Sequence, residues 1–168
     1  MSENYAIRVY KQYFNFASAH FLIFADGSRE PLHGHNYQVQ VLVEGMLGDA
    51  DIVVDFIPFK PLVRQICDSL DHKTLLPRDN AHLEITTTDA SIEVSHSDGS
   101  RFVFPASDVL FLPIPNTSTE MLARFIGREM AMNIPKQLPD AKITSLEIQV
   151  EESAGQSGIC RIRFSEDD

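Results

Sequence analysis

The chain has 168 residues, 43% apolar and 23% charged, which excludes a disordered or fibrous protein and gives one domain enough apolar mass to bury a core. Lys and Arg number 14 against 24 Asp and Glu, a net charge of −10, so a phosphate backbone would be repelled and no nucleic-acid partner is expected. No run approaches the ~18 apolar residues of a membrane span, no signal-peptide core opens the chain, and Cys67 and Cys160 cannot build a disulfide framework; a cytoplasmic protein with no membrane partner is the expectation.

Tyr5 to His20 reads as one long strand, with Tyr5, Ile7 and Val9 alternating against Ala6 and Arg8. A turn signal, Asp26-Gly27-Ser28, and Pro31 separate it from a second strand, Asn36 to Glu44, which puts Val39, Val41 and Val43 on one face. Asp55-Phe56 leads into a helix whose Phe59, Leu62, Val63, Ile66 and Leu70 repeat at helical spacing, with Pro61 expected in its first turn. A second helix is expected from Thr117, where Thr117-Ser118-Thr119-Glu120 reads as a capping box with the Thr117 hydroxyl as cap. Two closing strands, Lys142 to Glu152 and Gly158 to Ser165, point Leu146, Ile148, Val150 and Glu152 to one face and Cys160, Ile162 and Phe164 inward. The order is an α+β fold, ββααββ, with both helices on one face of a four-stranded antiparallel sheet. One domain, 1–168, is expected, with an insertion at about 79–113: the runs Ala90 to His96 and Arg101 to Phe104 flank Ser97-Asp98-Gly99-Ser100 as a hairpin.

The chain has six histidines, and three suggest a site. In extended chain His33 and His35 point to one side, and His20 ends the preceding strand, where an antiparallel partner brings it opposite them. Three neutral imidazoles without a fourth protein ligand match a catalytic zinc centre with an open position. Spacing by itself leaves the other reading open, in which they are separate histidines on a solvated strand end and turn.

The motifs around them resemble the 6-pyruvoyl-tetrahydropterin synthase family, which includes the 6-carboxy-tetrahydropterin synthases. The resemblance lies in Phe16-Ala17-Ser18-Ala19-His20, His33-Gly34-His35-Asn36-Tyr37, Val53-Val54-Asp55-Phe56, Leu70-Asp71-His72, Ser118-Thr119-Glu120-Met121-Leu122-Ala123 and Val150-Glu151-Glu152-Ser153. It implies the tunnelling fold, assembled as a homohexamer of two stacked trimers, and a Zn2+ ion held by His20, His33 and His35. The implied small-molecule substrate is a pterin, 7,8-dihydroneopterin triphosphate. Glu152 matches the glutamate that grips the pterin ring, Ser118 and Thr119 match positions lining its pocket, and Asp71 and His72 match a proton-relay pair. Arg29, Lys73 and Arg78 are candidate cations for the triphosphate.

One departure bears on the reaction. The synthases proper carry a cysteine as general base shortly before the HGH motif, but Phe21 to Leu32 contains none, and Glu30 stands there. This resembles a subgroup with glutamate at that position, associated with cleavage of the side chain to 6-hydroxymethyl-7,8-dihydropterin, a folate precursor. Glu30, Asp71 and His72 are therefore the expected catalytic residues of a zinc-dependent lyase. The alternatives are triphosphate elimination, as in a 6-pyruvoyl- or 6-carboxy-tetrahydropterin synthase, and a pterin-binding hexamer without catalysis, in which Glu30 is an exposed loop residue.

Overall fold

The computed structural model describes residues 3–164. Its spine is β3, His33–Gly45. On one side β3 pairs antiparallel with β9, Ile143–Ser153, and β9 in turn with β10, Gln156–Arg163. On the other side it pairs with β1, Tyr5–Val9, and β2, Asn15–His20. The expected single opening strand is thus broken: residues 10–14 stand opposite only Val39 and Gln40, three extra residues on the outer strand. A turn closes the break, with the Phe14 amide donating to the Lys11 carbonyl and the Gln38 side chain donating to both the Lys11 and Phe14 carbonyls. Phe14 itself is buried in the core, which anchors the turn.

The alternation of β3 and β9 builds the core. Val39, Val41 and Val43 lie across from Val150, Ile148 and Leu146, and all six are fully buried, each contributing about 1.5–3 kcal/mol by leaving water. Both helices cover this face. In α1, Phe56–Leu70, the Asp55 carboxylate caps the start by accepting from the Ile57 amide at 2.8 Å, and Phe59, Leu62, Val63, Ile66 and Leu70 point inward. Pro61 lies beyond the first turn expected for it. Ile57, whose carbonyl loses its helical partner there, is 82% exposed, so water takes the place of the missing donor.

The second helix, α2, is Thr119–Gln137, and its cap is Ser118, whose Oγ accepts from the Met121 amide. The cap falls one residue later than expected because Thr117 is fully buried and engaged elsewhere; Glu120 receives the Thr119 hydroxyl instead of reaching back to the cap. Two glycines let α2 lie close to the sheet. A Cβ on Gly127 would come within 2.9 Å of Ile162 Cδ1, and one on Gly158 within 2.4 Å of the Glu120 amide nitrogen.

The α+β architecture is the expected one, but the sheet is wider than four strands. Two short strands, β4 (Lys73–Pro77) and β8 (Val109–Leu112), extend it in parallel: β2 pairs with β4 and β4 with β8, giving seven strands in all. The runs expected to form a hairpin are β6, Ser91–His96, and β7, Arg101–Pro105. They are joined by β5, Leu83–Thr87, so the segment holds a three-stranded sheet with its own apolar cluster of Phe21, Ile23, Leu76, Ile92 and Val94.

Candidate metal centre

Strand pairing assembles the three histidines. In the β2–β3 register His20 lies directly across from His33 and Ser18 across from His35, so three imidazoles share the helix-covered face. Their ring centroids are 4.7 Å (His20–His33), 5.3 Å (His20–His35) and 4.8 Å (His33–His35) apart. One ligand atom from each falls within 4.8 Å of the others.

The outer nitrogens are tied down. His20 Nδ1 lies 3.0 Å from the Thr117 carbonyl, which accepts its proton, while the Thr117 hydroxyl donates to the Phe21 carbonyl at 2.9 Å. His33 Nδ1 likewise donates to the Pro31 carbonyl at 2.9 Å. Each bond fixes the tautomer that leaves Nε2 as a bare lone pair. His20 is 1% exposed, yet its Nε2 is buried with no hydrogen-bond partner. Such an atom is costly unless something binds it. Burial, and then the neighbouring His33, lower the His20 pKa to about 4, so the ring is neutral at pH 7, the form a metal ligand needs. An orphaned lone pair, two oriented rings and an all-nitrogen donor set fit a zinc ion.

Two carboxylates border the cluster. Glu30 Oε2 lies 3.9 Å from His33 Nε2 and Glu152 Oε2 4.0 Å from His35 Nε2, both half-buried. Glu30 sits on the loop after β2, where its amide donates to the Leu22 carbonyl at 2.9 Å and its carboxylate accepts from the Leu22 amide at 3.4 Å. Glu152 arrives on β9, on the same face as Val150.

Ser118 and Thr119 open α2 directly after Thr117, beside His20. Asp71 and His72 follow α1: the Asp71 carboxylate accepts from the Ala17 amide at 2.7 Å and from His72 Nδ1 at 2.8 Å. The bond from Ala17 holds the Asp71 carboxyl below its ordinary range. His72 adopts a left-handed φ of +56°, and its imidazole stands largely in solvent. With His35, Asn36, Lys73 and Thr74 it lines an open cleft of about 470 Å³. Among the described residues no hydrogen bond or ion pair joins Asp71 or His72 to the three histidines or to Glu30. Of the candidate cations, Arg29 turns away into the inserted sheet, and Arg78 lies over the Phe111 ring.

Two participants went unnoticed in the sequence. Tyr37 shares the face of His35, its ring 5.5 Å from that imidazole and 5.8 Å from His20, and its hydroxyl is buried with no partner. Burial first, then the charges of Glu152 and Glu30, push its pKa above the ordinary phenol value. Its position two residues after His35 on a strand was the available signal. Thr117 orients His20 through a backbone carbonyl, which no residue-type pattern reveals.

The sequence profile of the family described as 6-pyruvoyl tetrahydropterin synthase matches residues 8–163. A Methanocaldococcus jannaschii protein provisionally named a 6-carboxy-5,6,7,8-tetrahydropterin synthase is 35% identical over 152 residues, 90% of this chain and 91% of its own. The crystal structure of 6-pyruvoyl tetrahydropterin synthase from Plasmodium vivax superposes with a TM-score of 0.90 at 30% identity, over 97% of this chain and all of that one. The Plasmodium falciparum 6-pyruvoyl tetrahydropterin synthase does so with a TM-score of 0.90 at 32% identity and the same coverage. Two further Plasmodium vivax structures, with the same TM-score, carry alanine or cysteine in place of a glutamate described as a catalytic residue. Matched over nearly its whole length in sequence and in fold, this chain belongs to the 6-pyruvoyl tetrahydropterin synthase family.

Proposed function

We propose that the protein is a zinc-dependent lyase that takes 7,8-dihydroneopterin triphosphate and cleaves its side chain to 6-hydroxymethyl-7,8-dihydropterin. The observation that carries this reading is the Glu30 carboxylate 3.9 Å from His33 Nε2, on a loop that contains no cysteine. Cys67 cannot replace it: the thiol is buried on α1 and pushed up to about 12, chiefly by burial. The Plasmodium vivax variants at a catalytic glutamate support a carboxylate in this role.

His20, His33 and His35 would hold the zinc, which supplies Lewis-acid stabilisation of negative charge developing on the side-chain oxygens. Glu152 accepts two parallel hydrogen bonds from the pterin ring NH and amine, and Ser118 and Thr119 line the ring's pocket. Glu30 takes the proton of a side-chain hydroxyl; that oxygen becomes a carbonyl as the adjacent carbon–carbon bond breaks. The bonding pair passes into the pterin ring system, the ring-side carbon is reprotonated, and the aldehyde fragment leaves with the triphosphate. Asp71 and His72 act as the proton relay, the carboxylate orienting the imidazole and stabilising its charged form.

Among the described residues the sheet's outer strands, β10 and β8, have no further partner, which favours closure with neighbouring copies into a homohexamer, a dimer of trimers. No helix among the described residues is long and apolar enough to cross a membrane, in keeping with a cytoplasmic enzyme.

Triphosphate elimination is the second reading, favoured by the name of the Methanocaldococcus jannaschii relative. The test is to incubate zinc-loaded protein with dihydroneopterin triphosphate and identify the pterin formed. Release of 6-hydroxymethyl-7,8-dihydropterin is expected; 6-pyruvoyl-tetrahydropterin as the main product would refute cleavage, and absence of any turnover would refute an enzyme. Glu30→Ala should abolish turnover while zinc and pterin still bind.

A further inference from the structure

The loop that carries Glu30 is fastened to the inserted sheet through one side chain. The Arg29 side chain is 19% exposed, and two of its three nitrogens have polar partners. A terminal NH donates to the Glu30 carbonyl at 2.9 Å, and Nε donates to the Ser100 hydroxyl at 2.9 Å and lies 3.4 Å from an Asp98 carboxylate oxygen. The guanidinium also stacks over the Phe102 ring, 4.8 Å from its centroid, and that ring stacks at 5.3 Å on Phe21, which directly follows His20. A single planar group thus joins the backbone of Glu30 to the tip and one strand of the β5–β7 sheet.

The acceptors at the tip are themselves fixed. Asp98 accepts from the Ser100 amide at 2.7 Å and lies 3.0 Å from Nδ1 of the fully buried His96 side chain. A second contact supports the same loop: the His82 ring occupies the space beside Gly27, where a Cβ would come within 3.0 Å of His82 Cε1. The far side of the loop is held by Asn116, whose amide both accepts from and donates to the Ile23 backbone. The inserted sheet therefore forms one wall of a clasp around residues 21–32.

We propose that Arg29 is a positioning residue, and that the inserted sheet acts through it as a buttress holding the Glu30 carboxylate against the histidine cluster. The proposal rests on the reading of Glu30 as the general base. A base must stay within hydrogen-bond reach of the proton it removes, and a displacement of about 1 Å costs roughly 100-fold in rate. The Glu30 amide bond to the Leu22 carbonyl and the Ile23–Arg29 bridge set the course of the loop, and a side chain that secures the Glu30 carbonyl restrains it further. Arg suits the task because its donors lie in a rigid plane that serves several acceptors while stacking on a ring.

The test compares Arg29→Met, Arg29→Lys and Ser100→Ala with the parent protein in kcat, KM, bound zinc and amide hydrogen exchange over residues 21–32. Arg29→Met should speed exchange at the Leu22 and Glu30 amides roughly tenfold or more and lower kcat roughly 10- to 100-fold. KM should stay within about twofold and zinc content should not change. Arg29→Lys, which keeps the charge but not the fork, should fall between. If Arg29→Met does not fold, Ser100→Ala removes one acceptor and should move kcat and exchange in the same directions by less. A raised KM with unchanged exchange would assign Arg29 to the triphosphate and overturn the proposal, as would parental kcat and exchange in Arg29→Met or, where that variant is unfolded, in Ser100→Ala. Undiminished turnover by Glu30→Gln would instead overturn the reading of Glu30 as base; an inactive Glu30→Gln beside a fully active Arg29→Met overturns the proposal alone.

Discussion

The Thr117 backbone carbonyl accepts the Nδ1 proton of His20 at 3.0 Å, joining the end of the second strand to the residue just ahead of the second helix's cap. The Thr117 hydroxyl secures this contact through its own bond to the Phe21 carbonyl. In Thr117→Val the shape is kept but the Phe21 carbonyl loses its donor. The loss of a buried partner should cost about 1–3 kcal/mol of stability, read as a lower urea midpoint. The backbone carbonyl that orients His20 is retained, so zinc affinity should fall by no more than roughly 10-fold, read by competition with a chelator.

Glu152 contributes charge to recognition and little to the fold, since its carboxylate is half-exposed and lies 4.0 Å from the nearest imidazole nitrogen. Loss of a charge-assisted pair of hydrogen bonds to the pterin corresponds to about 1.5–3 kcal/mol, or roughly 10- to 150-fold weaker binding. Glu152→Ala should therefore bind pterin weakly in a direct titration while melting near the parental temperature.

Gly158 carries the contact between the last strand and the start of the second helix. A Cβ there would meet the Glu120 amide nitrogen at 2.4 Å and the Thr119 carbonyl carbon at 2.5 Å, both backbone atoms that cannot swing away. Gly158→Ala should force the helix start outward and destabilise the protein by about 1–3 kcal/mol, measured by thermal unfolding. Because Ser118 and Thr119 lie at that helix start, pterin affinity should fall in the same variant.

The metal-free protein should lose stability in mild acid. Burial holds His20 at about 4 in the folded chain, against about 6.5 when unfolded. Between these values the unfolded chain binds a proton that the folded chain does not, so stability falls as pH drops from about 6.5 towards about 4. The slope is at most about 1.4 kcal/mol per pH unit for one group. Urea midpoints of the apoprotein at pH 7 and pH 5 measure it, and His20→Asn should reduce the slope by about one proton.

What the sequence revealed depended on how local the cause was. The alternation of Val39, Val41 and Val43, and the helical spacing from Phe59 to Leu70, are set by one buried face each, and both appear where the pattern puts them. His33 and His35 share a face for the same reason of strand period. Non-local pairings were hidden. Leu75 and Leu76, like Leu110 and Phe111, form runs too short to declare themselves, and they become strands only because β2 offers an edge on which they stack in parallel. The site followed the same division: imidazoles and carboxylates announce themselves by residue type, whereas the Thr117 and Pro31 carbonyls that aim two of the rings do not.

The break between the first two strands decides which way His20 looks. Along β1 the odd-numbered Ile7 and Val9 oppose Val43 and Val41, whereas along β2 the even-numbered Phe16, Ser18 and His20 oppose Tyr37, His35 and His33. Three surplus residues, an odd count, flip the parity of the chain between one half and the other. An unbroken strand would have set Ala17 opposite His33 and Asn15 opposite His35, and sent the third imidazole through to the opposite side of the sheet. A small kink anchored by Phe14, far from any chemistry, is thus what completes the trio of nitrogens.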